Sequence, residues 1–270
     1  MGAGAADALR FARDIGLLQS EHVLPELAPC IGLNQNSNYH SLPVDEHLLL
    51  VLQRACEQNA SLAVRWAALL HDLGKPGSAW VGPDGRTHYY RNPADPSSRS
   101  HEEIGAEIAR RVMKRFREPD ALARRVRFLV AEHMFRTSDN PLKVRRFLAR
   151  VGRDNAADLL ALRRADHGGK DVEGLRGEEL DTIERVEAQV AAQWDAPLTI
   201  SELAIGGEQV MAFGFVGPLI GGQLREILQR VIDHPDGNTA AQELGWLERS
   251  AVRNGVLRPA EAAAVRSELA

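Results

Sequence analysis

The sequence predicts an all-α fold, a helical bundle followed by a smaller C-terminal helical region, on three observations. Apolar residues recur at helical spacing almost throughout the chain. Alternating apolar and polar runs are scarce, which leaves room for one hairpin. Helix stops such as Gly74 and Pro76 fall where a periodic stripe ends. With 270 residues and 44% hydrophobic content the chain can bury a core, as one large domain or two modest ones.

The elements follow in order. Residues 1–43 form an N-terminal helical segment. After Pro43 a helix carries Val44, Leu48, Val51, Leu52 and Ala55 on one stripe, and a second runs from about Leu62 to Leu73. Gly74 and Pro76 end it, so His71 and Asp72 lie at a helix terminus. The polar segment Ala79 to Arg99 contains Pro83-Asp84-Gly85-Arg86, a turn signal. Its Trp80, Tyr89, Tyr90 and Arg91 suit either a lid that stacks a base or a surface loop packing its own aromatics. Further helices are marked by Ile104, Ile108 and Val112, by Leu122, Val126, Leu129 and Val130, and by Leu159, Leu160 and Leu162, the last closed by Gly168-Gly169. A charged helix around Glu178 to Ala192 leads to Pro197. The expected division is 1–43, a metal-binding domain over 44–175, and a C-terminal helical region over 176–270. In that last region Ser201 suits a helix cap, and Gly217-Pro218 precedes Leu224, Ile227, Leu228 and Val231. Gly206-Gly207 and Gly221-Gly222 lack a preceding strand, which makes dinucleotide binding a poor reading.

The net charge of -4 argues against a uniformly basic nucleic-acid binder. The distribution is uneven: from His101 to Lys170 there are 17 basic and 10 acidic residues. That excess suits a polyanionic substrate or RNA strand, or else the solvated face of one amphipathic helix carrying Arg110, Arg111, Lys114, Arg115 and Arg117. Cys30 and Cys56 sit in apolar contexts without metal-ligand spacing and read as buried free thiols. Neither a signal peptide nor a stretch of membrane-spanning length is evident, so a cytoplasmic protein with no membrane partner is expected.

The chemistry-bearing residues are His47, His71, Asp72, His101, His133 and Asp166. His47 stands three residues after Val44 and four before Val51, on the buried stripe. His133 follows Val130 and Leu129 at the same spacings, and Asp166 follows Leu162 and Leu159 at four and seven. One such residue alone is an ordinary hydrogen-bonded core group. Several on neighbouring helices suggest a shared cation, because a buried carboxylate costs several kcal/mol unless a positive charge offsets it. Mixed imidazole and carboxylate donors suit Mn, Fe, Co, Ni or Zn better than Mg.

His71-Asp72-Leu73-Gly74-Lys75, preceded by Trp66-Ala67-Ala68-Leu69-Leu70, resembles the signature of the HD phosphohydrolase superfamily. Ser61 to Pro76, Ser100 to Ile108 and Leu129 to Met134 are similar to the HD region of bacterial CCA-adding tRNA nucleotidyltransferases. Leu24 to Leu27, Asn38 to His47, Val144 to Leu148, Arg163 to Lys170, Leu203 to Glu208, Gly214 to Leu228 and Asn238 extend the resemblance over nearly the whole chain. Two departures stand out. Ser100 replaces the usual glycine, and no Asp-x-Asp pair occurs, so the chain is not expected to add CCA by itself.

The resemblance implies an HD-domain helical bundle whose first metal site is His47, His71, Asp72 and Asp166. His101 and His133 match the histidines of members with a second ion, with Asp72 able to bridge the two; one or two divalent transition-metal ions are implied. Asp72 and Lys75 are the candidate catalytic residues. Lys75 is suited to neutralising a substrate phosphate, or is an exposed helix-end lysine on C-terminal carbonyls. The implied activity is metal-dependent hydrolysis of a 2',3'-cyclic phosphodiester or a phosphomonoester on a nucleotide or RNA 3' end. The alternatives are an RNA- or tRNA-binding accessory module without turnover and a hydrolase of nucleoside triphosphates or signalling nucleotides. The sequence leaves the oligomeric state open.

Overall fold

The computed structural model describes residues 1–2, 4–35, 42–136, 138–168 and 175–270, leaving aside the side chains of 168 and 175–179. It is helical apart from one hairpin. The helices are α1 (Ala5–Asp14), α2 (Val44–Glu57), α3 (Leu62–Leu70), α4 (Lys75–Ser78), α5 (His101–Arg115), α6 (Asp120–Glu132), α7 (Pro141–Val151), α8 (Arg153–Gly168), α9 (Leu175–Ala192), α10 (Gly207–Ala212), α11 (Pro218–Asp233), α12 (Ala240–Arg253) and α13 (Pro259–Leu269). Short 3-10 turns cover Pro25–Cys30, Ile200–Glu202 and Pro235–Gly237.

The chain forms two compact units: residues 1–137 with 154–187, and residues 138–153 with 188–270. In the first, the expected stripe Val44, Leu48, Val51, Leu52 and Ala55 is fully buried on α2. It packs on α3, which in turn packs on α6, with α5 beside α6. Val112, Met113, Val126, Leu129, Leu159 and Leu162 fill the space between, none more than 1% exposed. In the second unit Phe213, Phe215, Ile227, Val231, Leu244, Leu247 and Ala251 make a separate apolar core. The carboxylate of fully buried Glu243 accepts the backbone N–H groups of Ala204 and Ile205 there.

Two expectations are corrected, and a third, the turn at Pro83 to Arg86, is met by a hairpin. The helix begun at Leu62 ends at Leu70, not Leu73, because the His71–Gly74 turn must swing its backbone against α5. Thr199, not Ser201, caps the turn at Ile200, reciprocally with Glu202. The Ala79 to Arg99 segment supplies the hairpin, β1 (Trp80–Val81) and β2 (Thr87–His88), closed through Gly85 at φ +73°. Asn38 to Ser41, Gly169 and Lys170 lie outside the described residues.

Cys30 and Cys56 are free and buried. Burial, reinforced by the carboxylates of Asp72 and Asp45, pushes the Cys30 thiol up to about 12. Among the described residues no helix is long and apolar enough to cross a membrane.

Candidate metal centre

Backbone contacts bring the candidate ligands together. A Cβ on Gly74 would stand 2.1 Å from the carbonyl oxygen of His101 and 2.7 Å from the amide nitrogen of Gly105. One on Gly105 would stand 3.1 Å from the carbonyl of His71. Two glycines therefore let the His71–Gly74 turn meet the first turn of α5 backbone to backbone, which sets Asp72 opposite His101. A capping box fixes where α5 begins: Ser100 Oγ accepts from the Glu103 amide, and Glu103 accepts from the Ser100 amide. His47 comes from the first turn of α2, His133 is the C-cap of α6, and Asp166 lies in the last turn of α8.

The four histidines converge on Asp72, whose two carboxylate oxygens face different partners. Oδ2 is 3.3 Å from His71 Nε2 and 3.6 Å from His47 Nε2. Oδ1 is 3.6 Å from His101 Nε2 and 3.8 Å from His133 Nε2. Asp166 Oδ1 lies 3.1 Å from His47 Nε2 and 3.9 Å from His71 Nε2. Asp72 and the four histidines are at most 6% exposed, and Asp166 keeps 15% of its side chain accessible.

The hydrogen bonds on the far side of the rings orient the histidines. His71 Nδ1 donates to Ala68 O at 3.0 Å, His101 Nδ1 to Tyr89 O at 3.1 Å, and His133 Nδ1 to Val130 O at 2.7 Å. These assignments follow from the acceptors, which are carbonyls. In the neutral form this tautomer directs each Nε2 lone pair inward, as a metal ligand requires. His101 Nε2 and His133 Nε2 stand 3.3 Å apart, and two lone pairs at that distance repel unless a cation or proton lies between them. His71 Nε2 is buried, with Asp72 Oδ2 at 3.3 Å its nearest carboxylate oxygen. Burial and its imidazole neighbours push His133 down to about 3, so it is a neutral donor at physiological pH. Burial opposes the Asp72 charge, but Lys75, His71 and His101 outweigh it and hold the carboxyl well below the usual range. Burial works against a charged His71, but the carboxylates of Asp72 and Asp166 outweigh it and hold its pKa above the ordinary value.

The donor atoms of His47, His71 and Asp72, and again of Asp72, His101 and His133, all lie within 4.8 Å of one another. Inward lone pairs, a bifacial carboxylate and a nitrogen-oxygen donor set fit divalent cations.

Lys75 is not the exposed helix-end lysine of one sequence reading. It is buried, donates to Asp72 Oδ2 at 2.6 Å and to Gln35 Oε1, and lies 5.5 Å from the Tyr89 ring centre. The hairpin aromatics pack on each other, with Trp80, His88 and Tyr90 centroids 5.0–5.3 Å apart and Trp80 Nε1 donating to Tyr90 O. The segment reaches the site through Tyr89, whose ring lies over Lys75 and whose carbonyl accepts both His101 Nδ1–H and the His101 amide, the latter at 2.9 Å. Sequence reasoning missed that carbonyl and Gln35. A backbone acceptor has no residue signature, and nothing in the local pattern around Gln35 points at Lys75.

Comparisons with known proteins agree with this geometry. The chain is 34% identical over 224 residues to the A-adding tRNA nucleotidyltransferase of Deinococcus radiodurans, covering 80% of this chain and 48% of that protein. It is 34% identical over 230 residues to the CC-adding tRNA nucleotidyltransferase of Thermus thermophilus, covering 83% and 48%. It is 37% identical over 121 residues to the Multifunctional CCA protein of Azoarcus sp., covering 44% and 26%. The chain thus spans about half the length of the first two relatives. The HD domain, a fold of metal-dependent phosphohydrolases that bind divalent metals, matches residues 44–195. With that match over more than half its length and the histidine-aspartate cluster inside it, this chain belongs to the HD domain family.

Proposed function

We propose that this protein is a metal-dependent phosphohydrolase acting on nucleotide or RNA phosphoesters, a 2',3'-cyclic phosphodiester or a phosphomonoester. The observation that carries the reading is Asp72, set with one carboxylate oxygen towards His47 and His71 and the other towards His101 and His133. His47, His71, Asp72 and Asp166 would hold one ion; Asp72, His101 and His133 would hold a second, with Mn, Fe, Co, Ni or Zn preferred over Mg. Bound metal supplies Lewis acidity towards water and the phosphoryl oxygens. The protein's own groups do the rest. Backbone carbonyls of Ala68, Tyr89 and Val130 lock three imidazoles in the tautomer that presents Nε2. The Lys75 ammonium, beside Asp72, offsets negative charge on the substrate phosphate as it develops.

A second reading, an RNA-binding module without turnover, draws on the relatives being tRNA nucleotidyltransferases. One experiment separates the two. Metal-stripped wild type and Asp72→Ala are incubated with 2',3'-cyclic AMP while Mn, Co, Ni, Zn or Mg is added in turn, and released nucleotide is measured. Hydrolysis by wild type alone is the expected result. No hydrolysis with any metal, or full activity in the variant, would sink the proposal.

A further inference from the structure

Arg110 and Lys114 near the C-terminal end of α5, Arg117 just beyond it, and Arg124 and Arg127 of α6 line one open groove of about 460 Å³. Arg110 and Lys114 are spaced i, i+4 on α5 and Arg124 and Arg127 i, i+3 on α6, so each pair shares one face of its helix, while Arg117 follows α5 in a left-handed turn at φ +54°. Glu118 and Asp120 also line it, leaving five cations against two carboxylates. Arg110 is held by Glu107 at 2.7 Å. Lys114, Arg117, Arg124 and Arg127 make no ion pair among the described residues. A net positive concavity concentrates anions there.

The same two helices carry the metal centre at their other ends, with His101 opening α5 and His133 closing α6. From His101 to Lys114 the helix axis advances about 20 Å at about 1.5 Å per residue. A mononucleotide cannot touch both places. A strand can, in roughly six nucleotides at about 3.4 Å each.

We infer that this groove holds the ribose-phosphate backbone of an RNA strand whose terminal phosphoester lies at the Asp72 centre. The inference rests on the hydrolase reading above and narrows its substrate from nucleotides in general to oligomers. An acidic protein would satisfy the groove's charge but gives no reason for its placement on the helix pair that carries the phosphoester chemistry.

The test compares the wild-type chain with Lys114→Glu/Arg124→Glu/Arg127→Glu and with the charge-keeping Lys114→Arg/Arg124→Lys/Arg127→Lys. Binding of a fluorescein-labelled RNA of about 12 nucleotides is followed by anisotropy, without added metal, between about 50 and 200 mM salt. The glutamate variant is expected to bind at least about tenfold more weakly. Its log affinity against log salt should be shallower by about 2, the loss of three phosphate contacts at about 0.7 each. The charge-keeping variant should match wild type, and 2',3'-cyclic AMP turnover should be equal in all three. Unchanged affinity and slope in the glutamate variant would overturn the inference, as would poly-glutamate competing as well as unlabelled RNA. Failure of the hydrolase reading looks different: no protein turns over 2',3'-cyclic AMP. RNA binding still lost in the glutamate variant would then uphold the groove and overturn its delivery of an end to the metal centre.

Discussion

At Gly74 a methyl group would stand 2.1 Å from the His101 carbonyl, so Gly74→Ala has to push the His71–Gly74 turn off α5. A loss of about 1–3 kcal/mol is expected from that overpacking. Because the shift moves Asp72 away from His101, Mn affinity by titration calorimetry should fall as well; wild-type stability and affinity would contradict the close approach. Lys75 invites a different substitution. Lys75→Met removes the ammonium from a buried carboxylate, which should cost about 3–5 kcal/mol in urea denaturation of the metal-free protein. Saturating metal, by supplying the missing positive charge, should reduce that loss; an equal loss with and without metal would show that Lys75 is not the counter-charge. The candidate ligands were legible because histidine and aspartate on apolar stripes are costly and therefore conspicuous. The glycines were legible only as a helix stop, since a close approach becomes visible when the opposing backbone is known.

Elements hold these residues by their ends. Ser100→Ala removes the side-chain half of the α5 capping box and should cost about 1 kcal/mol in thermal denaturation, with His101 at the next position losing its fixed start. Glu26, in the Pro25–Cys30 turn, pairs with Arg115 of α5 at 2.7 Å. Burial works against the Glu26 charge, but the Arg115 guanidinium outweighs it and holds the carboxyl below its ordinary value. The stability this contributes is present above the unfolded pKa of about 4.5 and disappears as pH falls through the lower folded value. Arg115→Gln should therefore flatten the acid side of the stability profile and leave its shape near neutrality unchanged; an unaltered acid limb would rule the pair out as its source. Long periodic helices were readable from the sequence. The end of α3 was not, because Leu73 continues the apolar pattern while the chain has already turned to meet α5.

The whole molecule consists of two units with separate cores, and the metal centre belongs to the unit formed by residues 1–137 and 154–187. A divalent ion at about 100 times its dissociation constant should stabilise that unit by about 2.7 kcal/mol. For a body of this size that raises Tm by about 5–10 °C. Calorimetry with Mn and then excess EDTA should show the transition move up and return; an immobile transition would mean that the cluster binds no ion. The all-α class and the Pro83 to Arg86 turn were legible because helical periodicity and proline-glycine turns are local signals. What the hairpin does was not, since its effect on the site runs through the Tyr89 carbonyl. The Cys30 thiol offers a way to watch that architecture open. With its pKa near 12, only about one thiol in 10⁵ is ionised at pH 7. An alkylating reagent then acts as a clock: its rate of attack counts how often the Pro25–Cys30 turn, packed on α2 and α4, loosens, and a ligand that tightens the centre should slow that clock.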